Sequence, residues 1–121
     1  MATDALYTTK QVDGILVIIL RQSQMLNAVV IDQVSEGLKT LVDKAEEQRF
    51  VLDFSRVNYL SSSALGMLIG LQRRIMQKKG QMKLSGISPE IMEVFRITKL
   101  DTVFDIFKDA PAAVEAFRSN L

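Results

Sequence analysis

Hydrophobic and polar residues in this chain switch between a two-residue and a helical period, and the switches outline its elements. Ala5–Gln11 and Ile15–Leu20 are β-prone runs around Val12-Asp13-Gly14. Asp-Gly between such runs marks a hairpin, because both turn positions tolerate positive φ. Ile15–Leu20 is apolar on both faces, as in a strand at the middle of a sheet. Arg21–Asn27 is polar and irregular, and Asn27 is placed to cap a helix from Ala28 to Glu47. Val30, Val34, Leu38, Leu41 and Ala45 recur at helical spacing and predict its buried stripe.

Phe50–Phe54 reads as another strand, and Ser61-Ser62-Ser63 leads into a helix from Ser63 to Lys79. Gly80 is the expected left-handed residue that ends it. On that helix Leu65, Leu68, Ile69, Ile75 and Met76 are predicted to face the sheet. Met67, Gly70, Leu71 and Arg74 share a second face. That face either meets a partner or packs beneath the neighbouring helix, and the spacing suits both equally. Met82–Leu84 is a short strand. Ser88 caps and Pro89 opens a helix that carries Ile91, Val94, Phe95 and Thr98 inward. Val103–Phe107 is a last strand, and Ala110-Pro111 starts a final helix with Ala113, Val114 and Phe117 as its apolar face. The order β-β-α-β-α-β-α-β-α predicts an α/β fold, one domain over residues 1–121. Its sheet should be mixed, with four or five strands and an opening hairpin. The helices should pack mainly on one face, those from Ala28 and Ser63 among them.

Composition narrows the chemistry. The chain has 121 residues, 48% of them hydrophobic and 24% charged, which suits a globular domain. It contains no cysteine and no histidine. Thiolate nucleophiles, sulfur-ligated zinc and the commonest general base are therefore missing. These gaps argue against an enzyme and against a metal or other cofactor. Fifteen Lys and Arg balance fourteen Asp and Glu, for a net charge of +1. So small a charge supplies no long-range field for nucleic acid or an anionic membrane. Arg73-Arg74 and Lys78-Lys79 read as a solvated helix C-terminus. The N-terminus, Met-Ala-Thr-Asp, has no signal-peptide pattern, and a cytoplasmic location is expected.

The informative stretch is Asp53-Phe-Ser-Arg-Val-Asn-Tyr-Leu-Ser-Ser-Ser-Ala-Leu-Gly66. It describes a strand end, a short loop and a helix N-terminus lined with hydroxyls. Such hydroxyls cap the helix, or carry a phosphate that the free amides receive. Asp53 alone could suggest the phosphoacceptor of a receiver domain. That fold needs an acidic pair after its first strand to hold magnesium, and Arg21-Gln22-Ser23-Gln24 stands there instead. The expected role of Asp53 is to bond loop amides near the serines.

The stretch resembles the signature of the STAS family, the domain of anti-sigma factor antagonists and of sulfate-transporter tails. The family's usual text is Asp-Leu-Ser-x-Val-x-Phe-hydrophobic-Asp-Ser-Ser/Thr-Gly-Leu-Gly. Leu26-Asn27-Ala28, Leu84-Ser-Gly-Ile-Ser-Pro-Glu90 and Lys99-Leu100-Asp101 are similar to its other blocks. Two positions depart from the text: Ser61 replaces Asp, and Ala64 replaces Gly.

The resemblance implies a docking protein whose partner is an anti-sigma factor with a serine-kinase fold. It implies phosphorylation at Ser62, with Ser61 and Ser63 as neighbours. The docking surface is expected to comprise Asn27, Asp53, Ser61, Ser62, Ser63 and Ala64, extended by Met67, Leu71 and Arg74 on the second face of the helix. The chain is expected to be a monomer or weak dimer. The alternative is a constitutive STAS docking subunit or scaffold of a transport or stress-signalling complex, without phosphate control.

Overall fold

The computed structural model describes residues 6–25 and 27–119. Expectations for residues 1–5 and for Leu26 lie outside them. Strands β1 (Tyr7–Val12) and β2 (Ile15–Leu20) form the predicted hairpin, with Asp13 at φ 52° and Gly14 at φ 78°. A two-residue strand β3 (Gln24–Met25) precedes α1 (Ala28–Lys44). Then come β4 (Arg49–Asp53), β5 (Tyr59–Leu60), α2 (Ser62–Gln77), β6 (Gln81–Ser85) and α3 (Pro89–Ile97). A 3-10 turn (Leu100–Thr102), β7 (Asp105–Phe107) and α4 (Ala110–Ser119) follow.

The main sheet has the order β1-β2-β4-β6-β7, with β1 antiparallel and the remaining pairs parallel. The apolar run of β2 is used on both faces. Leu16, Ile18 and Leu20 join Phe50, Leu52 and Leu84 in the large core with residues of α1, α2 and α3. Ile15, Val17 and Val51 face Ala113, Val114 and Phe117 of α4 on the opposite side. The helices thus sit mainly on one face, with the short α4 as the exception.

Several expectations change with the packing. Helix α1 ends at Lys44 and α2 at Gln77. The left-handed residue after α2 is Lys79, at φ 64°, and not Gly80. Gly80 is needed for space: a Cβ there would stand 2.6 Å from Gln48 O and 2.9 Å from the Ile75 side chain. Met76 is 60% exposed and does not face the sheet. On α3 only Ile91 and Phe95 are buried, whereas Val94 and Thr98 point outward. The last strand shrinks to Asp105–Phe107, since Val103 follows the 3-10 turn.

Candidate functional site

Strands β3 and β5 pair in parallel, Gln24 with Tyr59 and Met25 with Leu60. Ser23 O accepts from Asn58 N at 2.6 Å and reinforces the join. Each of these strands runs directly into a helix, so the pairing sets the N-termini of α1 and α2 side by side. Asn27 Oδ1 caps α1, accepting from Val29 N at 2.8 Å and Val30 N at 3.3 Å. Ser61 Oγ caps α2, accepting from Ala64 N at 3.3 Å. Neither first turn carries an acidic residue, so both partial positive ends stay uncompensated by their own helix.

Ser62 and Ser63 open α2 with exposed side chains. Down the same solvent face stand Gly66 and Gly70, also exposed, and a methyl at either would meet nothing within 4 Å. No steric need therefore explains two glycines in a helix interior, where each costs roughly 1 kcal/mol against alanine. Val29 at 64% and Tyr59 at 56% exposure are apolar side chains on the two elements that meet at this turn. The sequence reading passed over both. The available signal was that Val29 falls off the predicted helical stripe; the structure centres that stripe on Ile31, Val34, Leu38 and Val42, and leaves Val30, Leu41 and Ala45 half-buried beside it.

Asp53 is buried at the end of β4. It accepts from Ser85 Oγ at 2.7 Å, from Ser55 N at 3.3 Å and from Ser55 Oγ. Asp53 thus bonds a loop amide as expected, but its hydroxyl partners are Ser55 and Ser85, outside the triplet. Gly86, at φ +69°, packs against this knot, and a Cβ there would lie 2.8 Å from Asp53 Oδ1.

Four expected docking residues are corrected by the structure: Asp53, whose carboxylate is buried and spent on Ser55 and Ser85, and three residues of α2. Ala64, Met67 and Leu71 are 0%, 9% and 2% exposed and belong to the core, because α1 packs along that flank of α2. The extra methyl of Ala64 accordingly points inward and leaves the outer surface unchanged. Arg74 is exposed, but its guanidinium grips Asp43 of α1 with bonds of 2.9 and 2.6 Å. That hydrogen bond holds the Asp43 carboxyl below its ordinary value and raises the Arg74 guanidinium. Arg74 stands roughly 18 Å along the helix from Ser62. Nearby, Lys78 Nζ donates to Val42 O at 2.8 Å and Ala45 O at 2.9 Å, closing the end of α1. The helix pair is tied at both ends.

Among the described residues no helix is long and apolar enough to cross a membrane. No group of three or more carboxylates there could hold a metal ion.

Comparison with known proteins places these features in context. The family model of the STAS domain matches residues 7–113. BtrV of Bordetella bronchiseptica, assigned by its name to the anti-sigma factor antagonists, is 31% identical over 114 residues, covering 94% of this chain and 96% of BtrV. An anti-sigma factor antagonist from Mycobacterium paratuberculosis superposes with a TM-score of 0.81 at 20% identity, over 93% of this chain and 92% of that one. The Bacillus cell fate determinant SpoIIAA, in its phosphorylated form, superposes with a TM-score of 0.67 at 19% identity, over 91% and 98%. At those identities the two structures speak for the fold alone.

Proposed function

The chain belongs to the STAS domain family, and on that premise we propose that it is an anti-sigma factor antagonist controlled by phosphorylation of Ser62. Its partner is an anti-sigma factor with serine-kinase activity, and its work is docking, not catalysis. The observation that carries this reading is the division of labour in the serine turn. Ser61 spends its hydroxyl on the cap, while Ser62 presents a solvent-exposed hydroxyl at the first helical position. Ser61 replaces the family's Asp, and Ser and Asp serve equally well as N-caps. The departure therefore keeps the turn's geometry.

The docking surface on this reading comprises Asn27, Val29, Tyr59, Ser62 and Ser63, continued by the bare backbone at Gly66 and Gly70. A partner approaches such a strip closely. Phosphate on Ser62 adds about −1.5 to −2 charges to it. The amides of α2 receive that charge within the free protein, so the helix does not melt. What suffers is the interface, which must desolvate the phosphate and meet its field.

The test is mass spectrometry after incubation with the cognate kinase and ATP, together with partner affinities. Ser62→Ala should bind like the unmodified protein, and Ser62→Glu should bind more weakly. Unmodified serines and equal affinities would leave the constitutive docking subunit as the answer.

A further inference from the structure

On the face of the sheet that α4 covers, β2 presents Ile15, Val17 and Ile19, and β4 presents Val51 and, two residues on, Asp53. Helix α4 packs on Ile15, Val17 and Val51, which are buried. At the carboxyl ends of the same strands, the half-buried Ile19 and the buried Asp53 line a cavity of about 410 Å³. Thr8, Arg21, Ser55 and Arg56 complete its wall, and no residue of the serine turn lines it.

Both arginines reach this cavity through one join. Arg21 stands two residues before Ser23 and Arg56 two before Asn58, and Asn58 N donates to Ser23 O at 2.6 Å. The contact that seats β3 against β5 thus brings both arginines to one place. Two arginines against one aspartate leave the lining a formal charge of +1 (2 − 1). The carboxylate is already engaged, with Asp53 Oδ1 accepting from Ser85 Oγ and Oδ2 from Ser55 N and Ser55 Oγ. The guanidiniums and the Thr8 hydroxyl are hydrogen-bond donors.

Forks from two separate segments select a ligand with oxygens on more than one side. A carboxylate offers two oxygens in one plane and fills a single fork. A phosphate group spreads its oxygens tetrahedrally, so it can accept from both guanidiniums and from Thr8 at once. The cavity's volume lies in the range of small-molecule sites, and Ile19 adds an apolar patch beside the charges.

We infer that this cavity binds a phosphate group, held between Arg21 and Arg56 with Thr8 as a further donor. A phosphate there ties the segment before β3 to the segment before β5, and so braces the strand pair that sets α1 and α2 side by side. The site uses neither Ser62 nor a partner protein, so it stands or falls apart from the switch.

Calorimetric titration of the unmodified full chain tests this, with inorganic phosphate and phenyl phosphate as probes and with chloride and acetate at matched ionic strength as controls. Saturable phosphate binding is expected, with slower amide exchange at Gln24, Met25, Tyr59 and Leu60. Binding of inorganic phosphate assigns the free ion, and binding of phenyl phosphate alone assigns an organic phosphate. Arg21→Gln and Arg56→Gln should each lower the affinity about tenfold or more. Arg56→Lys keeps the charge without the fork and should also bind more weakly than the parent. Both arginines are exposed, so circular dichroism should report an intact fold for each variant. Arg73→Gln, an exposed cation of α2 outside the cavity, should stay within about twofold. No saturable phosphate binding, or an equal response to acetate, overturns the proposal. Phosphate binding that both Gln variants retain overturns it too, because the ion then sits elsewhere.

Discussion

Ser85 Oγ donates to Asp53 Oδ1 across 2.7 Å, joining two residues 32 positions apart inside the sheet. They are register neighbours at the ends of β4 and β6, and Phe54 N completes the tie by donating to Ser85 O at 2.8 Å. The loops that lead to α2 and α3 therefore start from one shared polar knot. Its members are mutually satisfied, and no buried polar side-chain atom lacks a partner among the described residues.

Removing the acceptor should be costly. Asp53→Ala leaves the buried Ser85 hydroxyl and the Ser55 amide without their partner, for a loss of about 1–3 kcal/mol. Asp53→Asn keeps one carbonyl oxygen and should lose less. Urea unfolding measures both, and an Asp53→Ala midpoint equal to the parent's would show that the knot contributes nothing.

The serine turn makes a paired prediction. Ser61→Ala should cost about 1 kcal/mol, because it deletes the cap on α2. Ser62→Ala, an exposed site with no cap to lose, should stay within about 0.5 kcal/mol of the parent. Phosphorylated Ser62 should leave thermal stability equal or higher, since a phosphate at a helix N-terminus is favourable. Calorimetry on the three forms decides it. A large loss with Ser62→Ala would move the cap from Ser61 to Ser62.

Gly70→Ala should separate stability from docking. The added methyl enters open space in a helix interior, so the fold should gain roughly 0.5–1 kcal/mol. The same methyl stands on the proposed contact strip and should weaken partner binding. A variant both more stable and equally tight would remove Gly70 from the docking surface.

Acid titration should reveal the link between the two long helices. Arg74 lowers the pKa of Asp43 in the folded chain, chiefly through its hydrogen bond. A depressed carboxylate contributes stability that is present above the unfolded value of about 3.9 and fades as pH falls through the folded one. The pair is exposed, so the effect is small and should shrink further in high salt. Unfolding midpoints of the parent and Asp43→Asn should differ at neutral pH and converge below about pH 4. Parallel curves down to the acid limit would show that the bridge adds nothing.

What the sequence determined by itself is local. Asp13-Gly14 specifies its hairpin because positive φ is a property of those two residues. Asn27 and Ser88 start their helices because a cap bonds amides two or three positions away. The serine motif pointed to its family for the same reason, since all its members lie in one short stretch. The tertiary structure decided everything that depends on what stands across the way. Helical spacing grouped Met67 and Leu71 on one face of α2, but only the packing of α1 along that flank put them in the core. Asp53 met Ser85 through strand order, and the polar stretch before Asn27 became β3 because Tyr59 and Leu60 came alongside. Spacing records which residues share a face, and burial belongs to whichever neighbour that face meets.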